Sequence, residues 1–171
     1  MDTTEVFAIL KAHMLEGMVL HDEMMRYFGF LGFDGYSKFH KHQYHEETEG
    51  YHKLCEYYLS HYNEMIPPRD MKRPNVIPDS WYKFNKKEVD VSTKRTGVKE
   101  AIQKWVKWEE ETKALYEEMC KELIMQEEIA SADLIKCYVR DVDEELSEAD
   151  RKHIQLETVG YDIGYIMADQ N

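Results

Sequence analysis

The hydrophobic and polar positions of this chain alternate with the spacing of α-helices over four long stretches. Apolar residues return every three or four positions, which collects them on one face of a helix. The pattern predicts helices from about Thr3 or Thr4 to Phe28, from about Tyr36 to Asn63, from about Val98 to Ala130 and from about Asp133 to Met167. The chain is therefore expected to be all-α, with its core where the four apolar faces meet.

The segments between these helices predict their connectivity. Gly29 to Gly35 is a short, glycine-rich turn, so the first two helices should be antiparallel neighbours. Met65 to Gly97 contains all 4 prolines and no long periodic segment. A connection of that length can travel the full span of a bundle, and we expect the third helix to start near the end where the first began. The prediction is one domain over residues 1–171, an antiparallel four-helix bundle with a long crossover at about 65–97.

Composition agrees with one globular domain and narrows the range of partners. The chain has 171 residues, of which 43% are hydrophobic and 33% charged. Its formal net charge of −12 argues against binding a nucleic-acid backbone, which requires a basic surface. This charge is compatible with a protein that attracts cations, and equally with one whose acidic surface is simply solvated.

The sequence also bears on location. It has no run of about 18 apolar residues, so no membrane span is expected, and its first residues do not resemble a signal peptide. Cys55, Cys120 and Cys137 are scattered and form no CxxC pair. That pattern is typical of reduced thiols in a cytoplasmic protein.

Two of the predicted apolar faces are interrupted by a carboxylate. Glu47 lies in the middle of the face of the second helix, and Glu109 lies in the middle of the face of the third. A buried carboxylate must be paired, hydrogen-bonded or bound to a metal, because removing its charge from water is costly. The two faces are Phe39, Gln43, Glu47, Gly50, Leu54, Tyr57 and His61, and Ile102, Trp105, Glu109, Thr112, Tyr116, Met119, Leu123 and Gln126.

The first and fourth helices offer further candidates. On the first, Glu16 is the candidate ligand, with His13 and Glu23 as alternatives. On the fourth, His153 is the only polar residue of a face formed by Ile135, Val139, Val142, Leu146, Ala149, His153, Leu156, Gly160, Ile163 and Met167. Asp150 precedes His153 by about one turn, although Ser147 and Asp150 could instead cap a restart of the helix.

Each helix thus contributes an acid on or beside its inward face. Carboxylates from four helices, together with a histidine one turn from an acid, are the donor pattern of di-iron and di-manganese sites in bundle cores. Without cations, four acids in one core would repel each other. The candidate metal ligands are Glu16, Glu47, Glu109, Asp150 and His153.

Three segments resemble ferritins. Residues 36–47, with YSKF followed by HQ and HEE, are similar to the second ferritin helix, and residues 132–157 are similar to the last helix of bacterioferritins. The crossover segment IPPRDMKRP, followed by Trp81, is similar to the ferritin crossover. The resemblance implies a ferritin-like bundle holding two irons, or manganese, per subunit. It makes Glu47 the bridging ligand and Glu16, Glu109, Asp150 and His153 the other ligands.

The sequence departs from the ferritin pattern at two of these positions. The histidine expected three residues after Glu47 is replaced by Gly50, and Asp150 stands where the family has Glu. A second acid-x-x-His pair, Glu49 and His52, falls on the opposite face of the helix. We expect that face, with His42, His45, Glu49, His52 and Glu56, to be solvated.

The resemblance implies oxidation of Fe(II) at a carboxylate–histidine site within each subunit. Storage of ferric iron in a shell of identical chains would be a further step. One alternative is a di-metal carboxylate oxidoreductase that acts on a small organic substrate. Another is a bundle that has lost its metal site and serves in binding or assembly, so enzymatic activity stays open. The expected partners are metal ions and further copies of the chain, with neither nucleic acid nor membrane.

Overall fold

A computed structural model describes residues 1–74, 77 and 89–170, and four long helices account for most of them. None of these residues forms a strand, so the prediction of an all-α protein is confirmed for the described part of the chain. The helices are α1 (Thr3–Leu31), α2 (Asp34–Tyr62), α3 (Val91–Met125), α4 (Ile129–Thr158) and the short α5 (Ile163–Ala168).

The turn between α1 and α2 is tighter than predicted, since only Gly32 and Phe33 lie between the helices. Gly32 adopts a left-handed conformation with φ of 85°, which glycine enters without steric cost. Its N–H bonds to the carbonyl of Gly29, which ends α1. With so short a turn, α2 runs back along α1 and packs against it.

The connection from α2 to α3 lies along α1, as far as the structure describes it. Near the start of this connection, the carbonyl of Ile66 accepts a hydrogen bond from Lys11 Nζ at 3.3 Å. Further on, Lys72 N–H donates to Glu16 Oε1 at 2.8 Å and Arg73 Nε–H donates to Glu23 Oε1 at 2.6 Å. The contacts advance from the first half of α1 to its second half. Trp81, part of the ferritin resemblance, lies outside the described residues.

Helix α3 starts at Val91, earlier than the predicted Val98, because the Asp90 side chain accepts a hydrogen bond from Thr93 N–H at 2.7 Å and caps it. The expectation that it starts where α1 begins is wrong. Val98 packs in one cluster with Leu31 and Tyr36, at the end where α1 finishes. The tight α1–α2 turn explains this, since a connection that crosses the whole bundle from the end of α2 must arrive there.

Helix α3 ends at Met125, before the predicted break near Ser131. Glu127 adopts a left-handed conformation with φ of 61°, which no helix can continue through. The neighbouring Gln126 side chain is held at the start of α1, where Thr3 Oγ1 donates to its Oε1 and its Nε2 donates to the carbonyl of Met1. The prediction missed this tertiary contact.

Helix α4 is continuous past Ser147 and Asp150, so the helix does not restart there. It ends at Thr158 instead of Met167, because Gly160 and Tyr161 have φ values of 60° and 52°. Asp162 then caps α5 by accepting a hydrogen bond from Tyr165 N–H at 2.9 Å. The single helix predicted from about Asp133 to Met167 is thus divided into α4 and the short α5.

The core consists of two apolar clusters separated by a polar level. The turn-end cluster contains Phe28, Tyr36, Ile102 and Leu156 and lies near the α1–α2 turn. The amino-end cluster contains Phe7, Leu54, Leu123 and Ile135 and lies near the start of α1. Between them, each long helix contributes to what we call the polar layer, which contains Gly17, Glu47, Glu109 and Glu145.

The four sides of the bundle are not equally closed. Helix α1 packs along α2, α3 packs along α4, and α1 also contacts α3. Helices α2 and α4 approach each other less closely, and tyrosine side chains reach across between them. Tyr138 Oη–H donates to the carbonyl of Gly50 at 2.9 Å, and Tyr62 Oη–H donates to Glu128 Oε2 at 2.8 Å. None of the described helices has an apolar segment long enough to cross a lipid bilayer.

Candidate metal centre

Three carboxyl groups from three helices occupy the polar layer. Glu47 comes from α2, Glu109 from α3 and Glu145 from α4. Burial raises the pKa of Glu47 to about 7, and the charge of Glu46 adds to the effect. Burial, and then the charge of Glu47, raises the pKa of Glu109. Burial also raises the pKa of Glu145, with further contributions from Glu109 and Glu47. The carboxyl groups are therefore close enough to repel each other when ionised.

Within the described part of the chain, the layer contains no basic side chain that neutralises these acids. Among the described residues, no Lys or Arg forms an ion pair with Glu47, Glu109 or Glu145. Buried carboxylates are normally paired with a cation or fully hydrogen-bonded. The layer instead concentrates acceptor oxygens, and this favours protons or a bound cation there.

Glu109 is the most deeply buried of the three, with 0% of its surface exposed. Trp105 Nε1–H donates to its Oε1 at 3.1 Å. Its other oxygen, Oε2, has no hydrogen-bond partner of good geometry in the described part of the chain. His21 Nε2, equally buried and also without a partner, lies 3.8 Å from Oε1, too far for a hydrogen bond. Neither Glu109 Oε2 nor His21 Nε2 thus has a well-formed hydrogen bond to a described residue.

His21 is held in place by a second histidine. The Nδ1 atoms of His21 and His40 lie 3.0 Å apart, so one ring donates the hydrogen bond and the other accepts it. Burial lowers the pKa of His21 to about 3, and burial together with His21 lowers the pKa of His40. Both rings are therefore neutral, in complementary tautomers. Phe28 and Trp105 pack against His40 and restrict its movement.

Helix α1 leaves space for Glu47 at Gly17. A Cβ atom at Gly17 would lie 3.5 Å from both Cδ and Oε2 of Glu47 and 3.5 Å from Trp108. The Glu47 carboxyl group therefore lies directly over the α1 backbone. One turn earlier, His13 stacks on Trp108 and its Nε2 lies 2.7 Å from Thr112 Oγ1. Burial lowers the pKa of His13 to about 4, so this ring is also neutral.

The sequence-predicted ligands separate into two groups. Glu47 and Glu109 share the polar layer, and their role as metal ligands stays a prediction. Glu16 is engaged elsewhere, because its Oε1 accepts the Lys72 N–H of the connection and its Oε2 lies 3.9 Å from His13 Nδ1. Glu16 thus holds the crossover segment against α1.

Asp150 and His153 are not brought into the layer. Asp150 is exposed on α4, and His153 Nδ1 forms a 2.7 Å hydrogen bond with Tyr161 Oη near the end of the helix. The physical reason is the helical phase, since α4 turns Tyr138, Val142, Glu145 and Ala149 inward. The predicted face through Val139, Leu146 and His153 is rotated away from this one.

Glu145 and His21 were not among the predicted ligands, yet the sequence carries a signal for both. Glu145 lies three residues after Val142 and four before Ala149, which is the spacing of one helical face. His21 belongs to the apolar spacing of Met14, Gly17, Met24 and Phe28 on α1. A polar residue that keeps the phase of its apolar neighbours is the pattern that marks Glu47 and Glu109 as well.

The outer face of α2 agrees with its prediction. His42, His45, Glu49, His52 and Glu56 are all exposed, so this face is confirmed as solvated. Gly50, where the ferritin resemblance expects a histidine, has the Tyr138 side chain beside it. Its added Cβ would lie 3.5 Å from Tyr138 Cε1, and its carbonyl accepts the Tyr138 hydrogen bond.

Comparison with known proteins finds no family model that matches the chain and no curated protein with a matching sequence.

The donor atoms of the layer are of the types that bind transition-metal ions. Carboxylates and neutral imidazole are the protein ligands that iron and manganese accept, and Glu109 Oε2 and His21 Nε2 are buried without partners. As the side chains stand, no three His, Cys, Asp or Glu residues within the described ranges converge on one ion. Joint ligation would therefore require side chains of the layer to change their positions. Glu47 and Glu145 are only partly exposed, and neither is held in an ion pair with a described residue.

Proposed function

We propose that this protein binds a divalent transition metal, iron or manganese, in the polar layer of a ferritin-like bundle, and that it oxidises Fe(II) there. The observation that supports this most is the meeting of Glu47, Glu109 and Glu145 in the polar layer, where no described Lys or Arg pairs with them. Fe(II) is the substrate in this reaction. The His21 imidazole is the nitrogen donor beside the acids.

The buried carboxylates of the polar layer lower the stability of the folded protein. Removing an ionised carboxylate from water costs several kcal/mol, about the size of a domain's net stability. Apolar residues of similar volume in these positions would make the bundle more stable. A divalent cation would offset the cost by pairing with two or three of the acids at once. The layer is thus arranged for a cation at the expense of the stability of the empty protein.

The side chains of the layer would have distinct roles. Glu109 and His21 are fully buried and are held by Trp105 and His40, so they would form the rigid part of the site. Glu47 and Glu145 border the cleft between α2 and α4, so they would adjust to the ion and admit it. The two apolar clusters exclude water above and below the layer. Bound iron would supply one-electron exchange with oxygen.

Two features of the chain support the ferritin-like interpretation, and one feature differs from the ferritin pattern. A long connection between the second and third helices, and acids at the same level of α2, α3 and α4, support it. The departure is the number of histidines, because the position three residues after Glu47 is Gly50 and the position three residues after Glu145 is Glu148. The site would therefore be richer in carboxylate than the ferritin pattern, with its imidazole from α1.

Metal titration without oxygen tests the proposal. We expect Co(II), used as a spectroscopic probe, and Fe(II) to bind the wild-type protein and raise its melting temperature, since a ligand specific for the folded state stabilises it. Glu109→Gln and Glu145→Gln should each weaken binding at least tenfold. Glu110→Gln is the matched control, because Glu110 is the exposed neighbour on the same helix. Admitting oxygen afterwards should oxidise Fe(II) faster in the wild type than in either layer variant.

Equal binding by the wild type and by both layer variants would overturn the site. Binding without faster iron oxidation would leave the metal site and remove the ferroxidase activity. A wild-type protein whose melting temperature does not change with any of the metals would favour a bundle that functions in binding or assembly alone.

A further inference from the structure

A cleft opens between α2 and α4 and leads to the polar layer. Its volume is about 540 Å³, within the range of pockets that hold small organic molecules. Glu47 and Glu145 line its inner part together with Gln43, which is only 4% exposed. Glu49, Asp141 and Glu144 line its outer part and are exposed. A bare metal ion would occupy a small fraction of this space.

The charged groups of the cleft are mostly acidic. Lys53 and His42 are the only basic side chains among the described residues that line it, and His42 lies 3.0 Å from Glu46. Glu49, Asp141 and Glu144 form no ion pair with any residue that the structure describes. The cleft therefore offers many acceptors and few donors, which favours a ligand that is positively charged.

Gln43 provides an independent observation in the inner part of the cleft. Its Nε2 faces Glu46 Oε2 at 3.4 Å, which orients the amide. Its Oε1 is buried and accepts no hydrogen bond from the described residues. An unsatisfied buried acceptor is costly and calls for a donor. A ligand N–H group at this point would supply the missing hydrogen bond.

The walls of the cleft suit an organic cation. Phe39, Tyr116 and Tyr138 also line it. Aromatic faces attract ammonium groups and also pack against methylene groups. A hydrated metal ion would gain little from such walls, whereas an aliphatic amine would use both the apolar walls and the acidic groups.

We propose that the α2–α4 cleft binds a small aliphatic amine in its ammonium form, with the N–H group on Gln43 Oε1 and the chain between the aromatic side chains. A second ammonium group at the other end of the chain would reach the outer acids. The inference goes beyond metal binding, because Gln43 and the outer acids are not metal ligands in the proposed site. It identifies the class of organic molecule that the cleft accepts.

Calorimetric titration of the full chain, treated with EDTA to remove metals, tests the proposal with 1,4-diaminobutane as the probe. We expect saturable binding of one molecule per chain. The uncharged 1,4-butanediol, which has the same length, should bind at least tenfold more weakly. Equal binding of the diol, or a diamine signal that never saturates and only reflects attraction to the acidic surface, would overturn the proposal.

Two variants locate the binding in the cleft. Gln43→Leu removes the acceptor at similar size, and Gly50→Leu fills the cleft while replacing a helical glycine with a better helix former. Each should weaken diamine binding at least tenfold, with folding checked by circular dichroism and thermal melting. Glu110→Gln should bind as the wild type does. If both cleft variants bind the diamine as tightly as the wild type, the site is not in this cleft.

The same variants separate this proposal from the metal site. Glu109 does not line the cleft, so Glu109→Gln should lose Co(II) and keep the diamine. Gln43→Leu should keep Co(II) and lose the diamine. Failure of one pattern with survival of the other identifies which of the two sites is wrong.

Discussion

The apolar clusters and the polar layer lie in one core but differ in the kind of side chain that they bury. In the amino-end cluster, Phe7, Leu54 and Leu123 are completely buried among apolar and aromatic side chains. In the layer, Glu109 is equally buried, but its Oε2 and the Nε2 of the neighbouring His21 have no well-formed hydrogen bond to a described residue. The same helices supply both regions, so the difference comes from single residues in the apolar repeat.

The two regions therefore have different roles in the folded protein. The clusters supply the stability that holds four helices in register, because buried apolar area is the main favourable term in folding. The layer reduces that stability and gains a place where charge can be bound. Substitutions in the two regions should therefore change stability in opposite directions.

The largest effect is expected in the amino-end cluster. Leu123→Ala should lower the free energy of unfolding by about 2–5 kcal/mol, because it removes a fully buried side chain and leaves a cavity. Urea denaturation measures the change. Metal binding below the melting temperature should be retained, since Leu123 lies outside the layer. A loss below 1 kcal/mol would mean that this cluster is not the stabilising region.

Next in size is the pH dependence of the metal-free protein. The folded state raises the pKa of the layer acids above the ordinary 4.5, so it binds more protons than the unfolded chain and loses stability as pH rises. It lowers the pKa of His13 and His21 below 6.5, so it also loses stability as pH falls. Stability should be greatest between about pH 4.5 and 6.5 and fall by about 2–3 kcal/mol from pH 6 to 9.

Urea denaturation at pH 4, 5.5, 7 and 9 in EDTA measures this profile. A free energy of unfolding that increases from pH 6 to 9 would contradict the buried, unpaired state of the acids. Added Co(II) should flatten the alkaline decline, because a bound cation favours the ionised carboxylates.

A smaller effect of opposite sign to the cluster mutation is expected in the layer. Glu109→Gln should raise the free energy of unfolding of the metal-free protein by about 1–2 kcal/mol at pH 8, because the amide has no charge to desolvate. Equilibrium denaturation at pH 5.5 serves as the control, where the gain should shrink. Destabilisation at pH 8 would show that the Glu109 charge is better satisfied than its surroundings indicate.

The smallest effect is expected at Gly17. The added methyl group of Gly17→Ala would meet Glu47 and Trp108 at 3.5 Å, an ordinary contact distance. Replacing a glycine within a helix should raise stability by up to about 1 kcal/mol. Gly17→Leu is the informative partner variant, because it would displace the Glu47 carboxyl group and should weaken Co(II) binding.

Much of the bundle follows from helical periodicity, as α3 illustrates. Ile102, Trp105, Glu109, Thr112 and Tyr116 were expected to share one inward face, and all five are buried. The repeat was clear there because apolar and aromatic residues surround the single acid. The beginning of α3 at Val91 was missed, since polar residues follow it and only the Asp90 cap marks the start.

The phase of α4 was harder to predict, and the candidate site depends on it. Apolar residues occupy two overlapping faces there, and Leu146 and Val139 favoured the wrong one. In the folded protein, the face with Tyr138 and Glu145 is the one that packs inward. Predicting this face would require the positions of α2 and α3. The apolar spacing of α1 places His21 on its inward face, but its pairing with His40 could not be predicted, because that hydrogen bond joins two helices.

The contact between Gly50 and Tyr138 limits how this chain could change. A Cβ atom at position 50 would lie 3.5 Å from Tyr138 Cε1, an ordinary contact distance, beside the hydrogen bond that this ring gives to the backbone of α2. A longer side chain at position 50 would therefore extend along the Tyr138 ring and into the cleft between α2 and α4. A substitution at either position therefore acts on the hydrogen bond that joins α2 to α4 across the cleft.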